Sequence, residues 1–86
     1  MKIFKFDGTL QCGLGSEISL NAMTDELAAL GVRPKSGEKA KHPNQYIQVC
    51  GAPTGNCNVF EISDSDWKKF KDAILGAGFA VWPVET

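Results

Sequence analysis

A chain of 86 residues has enough sequence for one domain and too little for two separate hydrophobic cores. Nine Lys and Arg against ten Asp and Glu give a formal net charge of −1, so no broad basic field is available to bind nucleic acid. No apolar run approaches the roughly 18 residues of a membrane-spanning helix, and the first residues show no signal-peptide pattern. We expect one soluble domain, 1–86, with no nucleic-acid or membrane partner, and a cytoplasmic location if Met1 is the natural start.

The first third of the chain predicts a strand followed by an amphipathic helix. Lys2–Phe6 alternates between charged and apolar residues, which puts Phe4 and Phe6 on one face of a strand. After Ser19, apolar residues recur at helical spacings of three and four: Leu20, Met23, Leu27 and Leu30. Ser19 suits the N-cap of this helix, and Gly31 suits the left-handed residue that ends it.

The next segment, 32–44, predicts a solvated loop, because it carries two prolines, a glycine and several lysines. His42 is the only histidine of the chain and stands between a lysine and a proline. We expect it to be solvated in this loop rather than to act as a general base.

Two strands, 45–50 and 57–62, are predicted on either side of a Gly- and Pro-rich connection, which is the pattern of a hairpin. The register that sets Cys50 opposite Cys57 separates the side chains into two unlike faces. The buried face then contains Ile47, Val49, Phe60 and Ile62. The face that the helices leave open contains Tyr46, Gln48, Val59 and Glu61.

The last third predicts a second helix and a final strand. Ser63 and Asp66 approximate a capping box, and Gly78 suits the end of the helix. Its apolar stripe is Trp67, Phe70, Ile74 and Ala77. The segment 79–84 predicts a strand, and Pro83 indicates either that it lies at an edge of the sheet or that it ends there.

The resulting order, βαββαβ, predicts a two-layer α+β sandwich of ferredoxin-like topology. Its four-stranded antiparallel sheet would have the strand order 4-1-3-2, with both helices on one face. Other two-layer α+β sandwiches are the alternative.

In this topology all three cysteines, Cys12, Cys50 and Cys57, fall at the same end of the sheet. A Cys50–Cys57 disulfide across the hairpin, a bridge from Cys12 to either of them, and three reduced thiols are the alternatives. A structural zinc site lacks its fourth ligand, since His42 is predicted at the opposite end. No CxxC motif lies at a helix N-terminus, and we expect no metal, no cofactor and no catalytic residue.

The leading functional hypothesis is a small non-enzymatic module that binds or inhibits a protein partner. The binding residues would be those of the hairpin loop, with Tyr46 on the open sheet face: Gly51, Ala52, Pro53, Thr54, Gly55 and Asn56. Homodimerisation through that open face is a further expectation. The alternative is a thiol-based redox or metal-binding protein that uses Cys12, Cys50 and Cys57.

Overall fold

The computed structural model describes residues 1–42 and 49–82, and within these ranges four strands form one antiparallel sheet. The strand order is β2-β3-β1-β4, which is the predicted 4-1-3-2 order. Two helices accompany the sheet, so the protein has an α+β fold. The elements in chain order are β1 (Lys2–Phe6), a short 3-10 turn (Gln11–Gly13), α1 (Leu20–Ala29), β2 (Ser36–Lys41), β3 (Asn56–Glu61), α2 (Asp64–Gly76) and β4 (Ala80–Trp82).

Both helices begin and end at the predicted residues. The Ser19 hydroxyl accepts a hydrogen bond from the Ala22 amide at 3.0 Å, and the Ser63 hydroxyl accepts one from the Asp66 amide at 3.1 Å. Gly31 and Gly78 follow the two helices with φ angles of 91° and 96°, which glycine adopts without a Cβ penalty. The helix predictions are therefore confirmed.

The main core lies between the helices and one face of the sheet. Ile3 and Phe60 project from the two central strands onto Met23 and Leu27 of α1 and Ile74 of α2. The predicted α2 stripe residues Trp67, Phe70 and Ala77 pack at its margin. Both helices thus cover the same face of the sheet, because each carries apolar residues along one side at helical spacing.

The second face of the sheet has an apolar cluster of its own. Phe4, Cys57 and Val59 are buried there, and Trp82 packs against them with its ring 5.3 Å from that of Phe4. Val59 lies on the face that we predicted the helices to leave open, but only 1% of its surface is exposed. The expectation that this face presents exposed apolar side chains is therefore wrong at its centre; Tyr46 and Gln48 lie outside the described residues.

The prediction of a loop over 32–44 is wrong, because β2 forms inside it. Gly37 pairs with Phe60 and Ala40 pairs with Cys57. Most β2 side chains are exposed, so the strand has no apolar alternation that could reveal it. Its position at the edge of the sheet explains this composition, since charged residues are tolerated and useful on edge strands.

The predicted hairpin register is also wrong. Cys57 pairs with Ala40 and Phe6, whereas Cys50 lies in a turn outside the sheet. Val49 was expected in the core, yet 54% of it is exposed. The remainder of that predicted strand, 45–48, lies outside the described residues.

The backbone of β2 approaches the core closely at Gly37. A Cβ atom at this position would lie 2.9 Å from the ring of Phe60, which is fully buried. An ordinary side chain would displace that ring, so the absence of a side chain at Gly37 lets β2 pair where it does.

We expect Gly37→Ala to lower the free energy of unfolding by about 1–3 kcal/mol, because the added methyl overpacks the core against Phe60. Gly76→Ala is the matched control, since a Cβ in the last turn of α2 meets no atom within 4 Å. It should stabilise the protein by about 0.5–1 kcal/mol. Urea denaturation of both variants measures the difference, and equal effects of the two substitutions would contradict the packing argument.

Candidate functional site

The pairing of β1 with β3 continues beyond the sheet as a two-stranded extension, which we call the arm (8–16 and 49–55). The Gln11 amide donates to the Ala52 carbonyl at 2.8 Å, and the Thr54 amide donates to the Thr9 carbonyl at 3.2 Å. Between these two bonds, Leu10 and Pro53 form a bridge. Residues 51–55 of the predicted binding loop therefore lie in one strand of the arm rather than at the free tip of a hairpin, and Asn56 is the first residue of β3.

A disulfide between Cys12 and Cys50 links the two strands of the arm, and both cysteines are exposed. The sequence left several disulfide pairings open, and the structure forms the one between Cys12 and Cys50. The alternative pairing of Cys50 with Cys57 is wrong. Cys57 is free and has no exposed surface; its thiol lies 3.5 Å from the Ala40 carbonyl. Cys57 lies within β3, whereas Cys12 and Cys50 lie in the arm, so the three cysteines do not form one site.

The arm joins the sheet at a buried carboxylate, Asp7, of which 2% is exposed. One carboxylate oxygen accepts hydrogen bonds from the Thr9 amide at 3.0 Å and the Thr9 hydroxyl at 2.7 Å. The Thr9 and Thr54 hydroxyls lie 2.6 Å apart, which carries the network across to the other strand. The second carboxylate oxygen pairs with the Lys39 ammonium at 3.4 Å. Asp7 therefore connects both strands of the arm to β2.

These contacts determine the pKa values around the junction. Burial alone would raise the pKa of Asp7, but hydrogen bonds from Thr9 and the charge of Lys39 bring it below its ordinary value. Burial alone would lower the pKa of Lys39, but its contacts with Glu17 and Asp7 raise that pKa above its ordinary value. Burial, with the nearby Asp7 carboxylate, raises the pKa of the Cys57 thiol. Cys57 is therefore a poor source of thiolate.

The surface of the arm is uncharged and partly apolar. Segments 8–16 and 49–55 contain no Asp, Glu, Lys or Arg. Leu14 and Val49 are half exposed at its far end. An apolar cleft of about 280 Å³ runs along it, lined by Phe6, Gly8, Thr9, Leu10, Pro53, Gly55 and Asn56. Depletion of charge distinguishes the centre of protein interfaces from the remaining surface.

His42 is not solvated, which corrects the sequence prediction. It is 8% exposed, and its ring lies 5.4 Å from that of Phe4 and 5.3 Å from that of Phe6. It follows β2 at the end of the sheet where Cys57 lies, not at the opposite end. Even so, residues 1–42 and 49–82 contain no group of three or more His, Cys, Asp or Glu that could hold a metal ion.

The sequence prediction missed Asp7 and Lys39. One signal for Asp7 was present, because Asp-Gly-Thr suits a turn in which the Asp side chain accepts from the amide two residues later. No sequence signal identified Lys39, since its partner depends on the unrecognised strand β2.

Comparison with protein-family models, with curated proteins and with solved structures found no match to this chain. In the described part of the chain, neither helix is sufficiently long and apolar to cross a membrane.

We expect Asp7→Asn to lower the free energy of unfolding at pH 7 by about 1–3 kcal/mol, because the amide cannot replace a charge-assisted acceptor of both Thr9 and Lys39. The lowered pKa of Asp7 stabilises the folded protein above the ordinary carboxyl pKa of 3.8. This contribution is lost as the pH falls below 3.8 and through the folded pKa, so the variant should lose less stability in acid.

Urea denaturation at pH 7 and at several pH values below 4 measures both effects. The control is Asp72→Asn, which makes the same chemical change at an exposed position of α2. If Asp7→Asn and the wild type lost stability equally on acidification, the assignment of an acid-sensitive contribution to Asp7 would be wrong.

Proposed function

We propose that the chain is a small non-enzymatic binding module that presents the loop 51–56, which runs from the arm to the first residue of β3, to a protein partner. The proposal rests on one observation: residues of the loop 51–56 are exposed to solvent while the backbone of the loop is held in place. Gly51, Pro53 and Asn56 are exposed, yet the segment is tied by backbone hydrogen bonds and by the adjacent disulfide.

Restraint matters because binding a mobile loop costs conformational entropy. Ordering one residue of backbone costs about 1–2 kcal/mol, and in this loop much of that cost is met on folding. The bonds from Thr54 to Thr9 and from Gln11 to Ala52 restrict the loop before any partner arrives. A loop ordered in advance retains more of its contact energy as affinity.

The chemistry of the surface favours a partner that contributes an apolar side chain. The cleft beside Pro53 and Leu10 has a volume on the scale of one or two side chains. A charged group entering it would lose water without finding an opposite charge on the arm. The proposed contact is therefore apolar at its centre, with polar loop atoms at its margin.

The finer description of the fold is also a proposal. The element order, the strand order and the shared helix face support a ferredoxin-like arrangement. This topology is found among proteins of unrelated activities, so it supplies no argument for function.

Homodimerisation through the second sheet face has less support than binding through the arm. Phe4, Cys57 and Val59 are already buried within one chain, so a second copy would gain little by covering them. Tyr46, which was expected to contribute to both surfaces, lies outside the described residues.

The exposed Cys12–Cys50 disulfide favours one second candidate, a thiol-based redox protein. This candidate has less support, because neither cysteine lies at the N-terminus of α1 or α2, where the helix would lower the pKa of a thiol. Alkylation rates of the reduced protein against pH would separate the two functions. Rapid alkylation of Cys12 or Cys50 at low pH supports the redox function, and ordinary slow thiols support the binding module.

The binding proposal is tested by placing a charge on the arm and asking whether a partner is lost. Pro53→Glu introduces a carboxylate beside the cleft, and Ala73→Glu introduces the same group on the exposed side of α2. We expect a protein that cross-links to the wild type in its native extract to bind Pro53→Glu at least tenfold less well, and Ala73→Glu unchanged. Circular dichroism verifies that both variants fold. Equal retention by the two variants would place the binding surface elsewhere.

A further inference from the structure

The arm is held by different forces from the remainder of the protein. Neither Cys12 nor Cys50 belongs to the apolar clusters on the two faces of the sheet. Apart from the network at Asp7, the two strands of the arm are joined by a few backbone hydrogen bonds and by the disulfide. Loss of the disulfide would therefore leave both apolar clusters in place and affect chiefly the arm.

The backbone at Cys12 is strained in the oxidised protein. Its φ angle is +66°, and it is the one non-glycine residue with positive φ in the described ranges. The left-handed conformation is unfavourable for a residue with a Cβ and persists where the surroundings impose it. Cys12 is exposed, so side-chain packing does not impose this conformation; the restraints are the turn closed by the Leu10 amide on the Leu14 carbonyl and the covalent link to Cys50. Breaking that link allows the backbone to relax.

We propose that the Cys12–Cys50 disulfide is a reversible redox staple, whose reduction in the folded protein releases the arm while the sheet and helices stay intact. The consequence for partner binding rests on the function proposed above: the loop 51–56 would be ordered for binding when the protein is oxidised and disordered when it is reduced. The release itself requires no partner.

The reaction needs an external dithiol, either a small molecule or a protein of thioredoxin-like chemistry. A thiolate of the dithiol attacks one exposed sulfur, the Cys12–Cys50 bond breaks, and the departing cysteine thiolate takes up a proton. The second thiol of the reductant then attacks the mixed disulfide and frees the other cysteine. Two electrons pass to the protein, and the reductant leaves as a disulfide.

Cys57 does not compete in this exchange. It has no exposed surface, and it pairs with Ala40 and Phe6 inside the sheet, away from the far end of the arm. The exposed pair can therefore open and close without forming an alternative bridge. A chain of three cysteines thus retains a single defined oxidised state.

Hydrogen exchange before and after dithiothreitol treatment tests the proposal. The reporters are the Gln11 and Gly51 amides, which bond across the two strands of the arm beside the disulfide, and the Trp67 amide in α2 provides the internal control. We expect reduction to accelerate exchange at least tenfold in the arm and less than twofold in α2. Peptide mapping after native alkylation should find Cys12 and Cys50 modified and Cys57 protected until urea is added.

The double substitution Cys12→Ser with Cys50→Ser gives an independent measurement. It should reproduce the fast arm exchange without reductant, and dithiothreitol should not change it further. Reduction that requires global unfolding, or an arm that exchanges equally in both states, would overturn the redox staple. Neither result depends on a partner, so the Pro53→Glu comparison in oxidised protein tests the binding function separately.

Discussion

The buried carboxylate of Asp7 connects the arm to the body of the protein, which is the sheet with its two helices. Its side chain holds Thr9 and Lys39, and its backbone bonds the chain on both sides, since its amide donates to Asn56 and its carbonyl accepts from Ile18. The segment that leads into α1, β2 and both strands of the arm therefore converge on one residue. A neutral amide here could accept from Thr9, but it would lose the ion pair with Lys39.

On either side of this junction, the protein is stabilised in different ways. The body relies on apolar burial on both faces of its sheet, and all the charged side chains of the described residues lie outside the arm. The arm has no charge and almost no core, and its order comes from backbone pairing and one covalent bond. Such a division allows the arm to change its state without endangering the fold.

The sequence predicts those parts of this structure that depend on local signals. The helices follow from apolar spacing, and their ends follow from Ser19 and Ser63, which cap the first turn by short-range bonds. The strand order follows from the succession of elements. By contrast, β2 is specified by its partner β3 and by the space above Phe60, neither of which is visible in its own polar residues.

The site was less predictable than the fold for the same reason. Loop 51–56 was selected from its glycines, its proline and its flanking cysteines, but its pairing with Thr9 and Gln11 depends on contacts more than 40 residues apart in sequence. The prediction that Cys50 lies opposite Cys57 was wrong because it took segment 45–50, rather than β2, as the partner strand of β3. Ala40 lies opposite Cys57 in the sheet, and Cys50 lies outside it, where it forms the disulfide with Cys12.

The composition of β2 that concealed it from sequence analysis also affects how these molecules behave when they collide. An edge strand offers backbone groups to any extended chain, which is the first step of sheet-to-sheet aggregation. Glu38, Lys39 and Lys41 would carry their charges into such a contact at the β2 edge. The charges on β2 thus discourage unselective pairing at this edge of the sheet, although the arm beside it is free of charge.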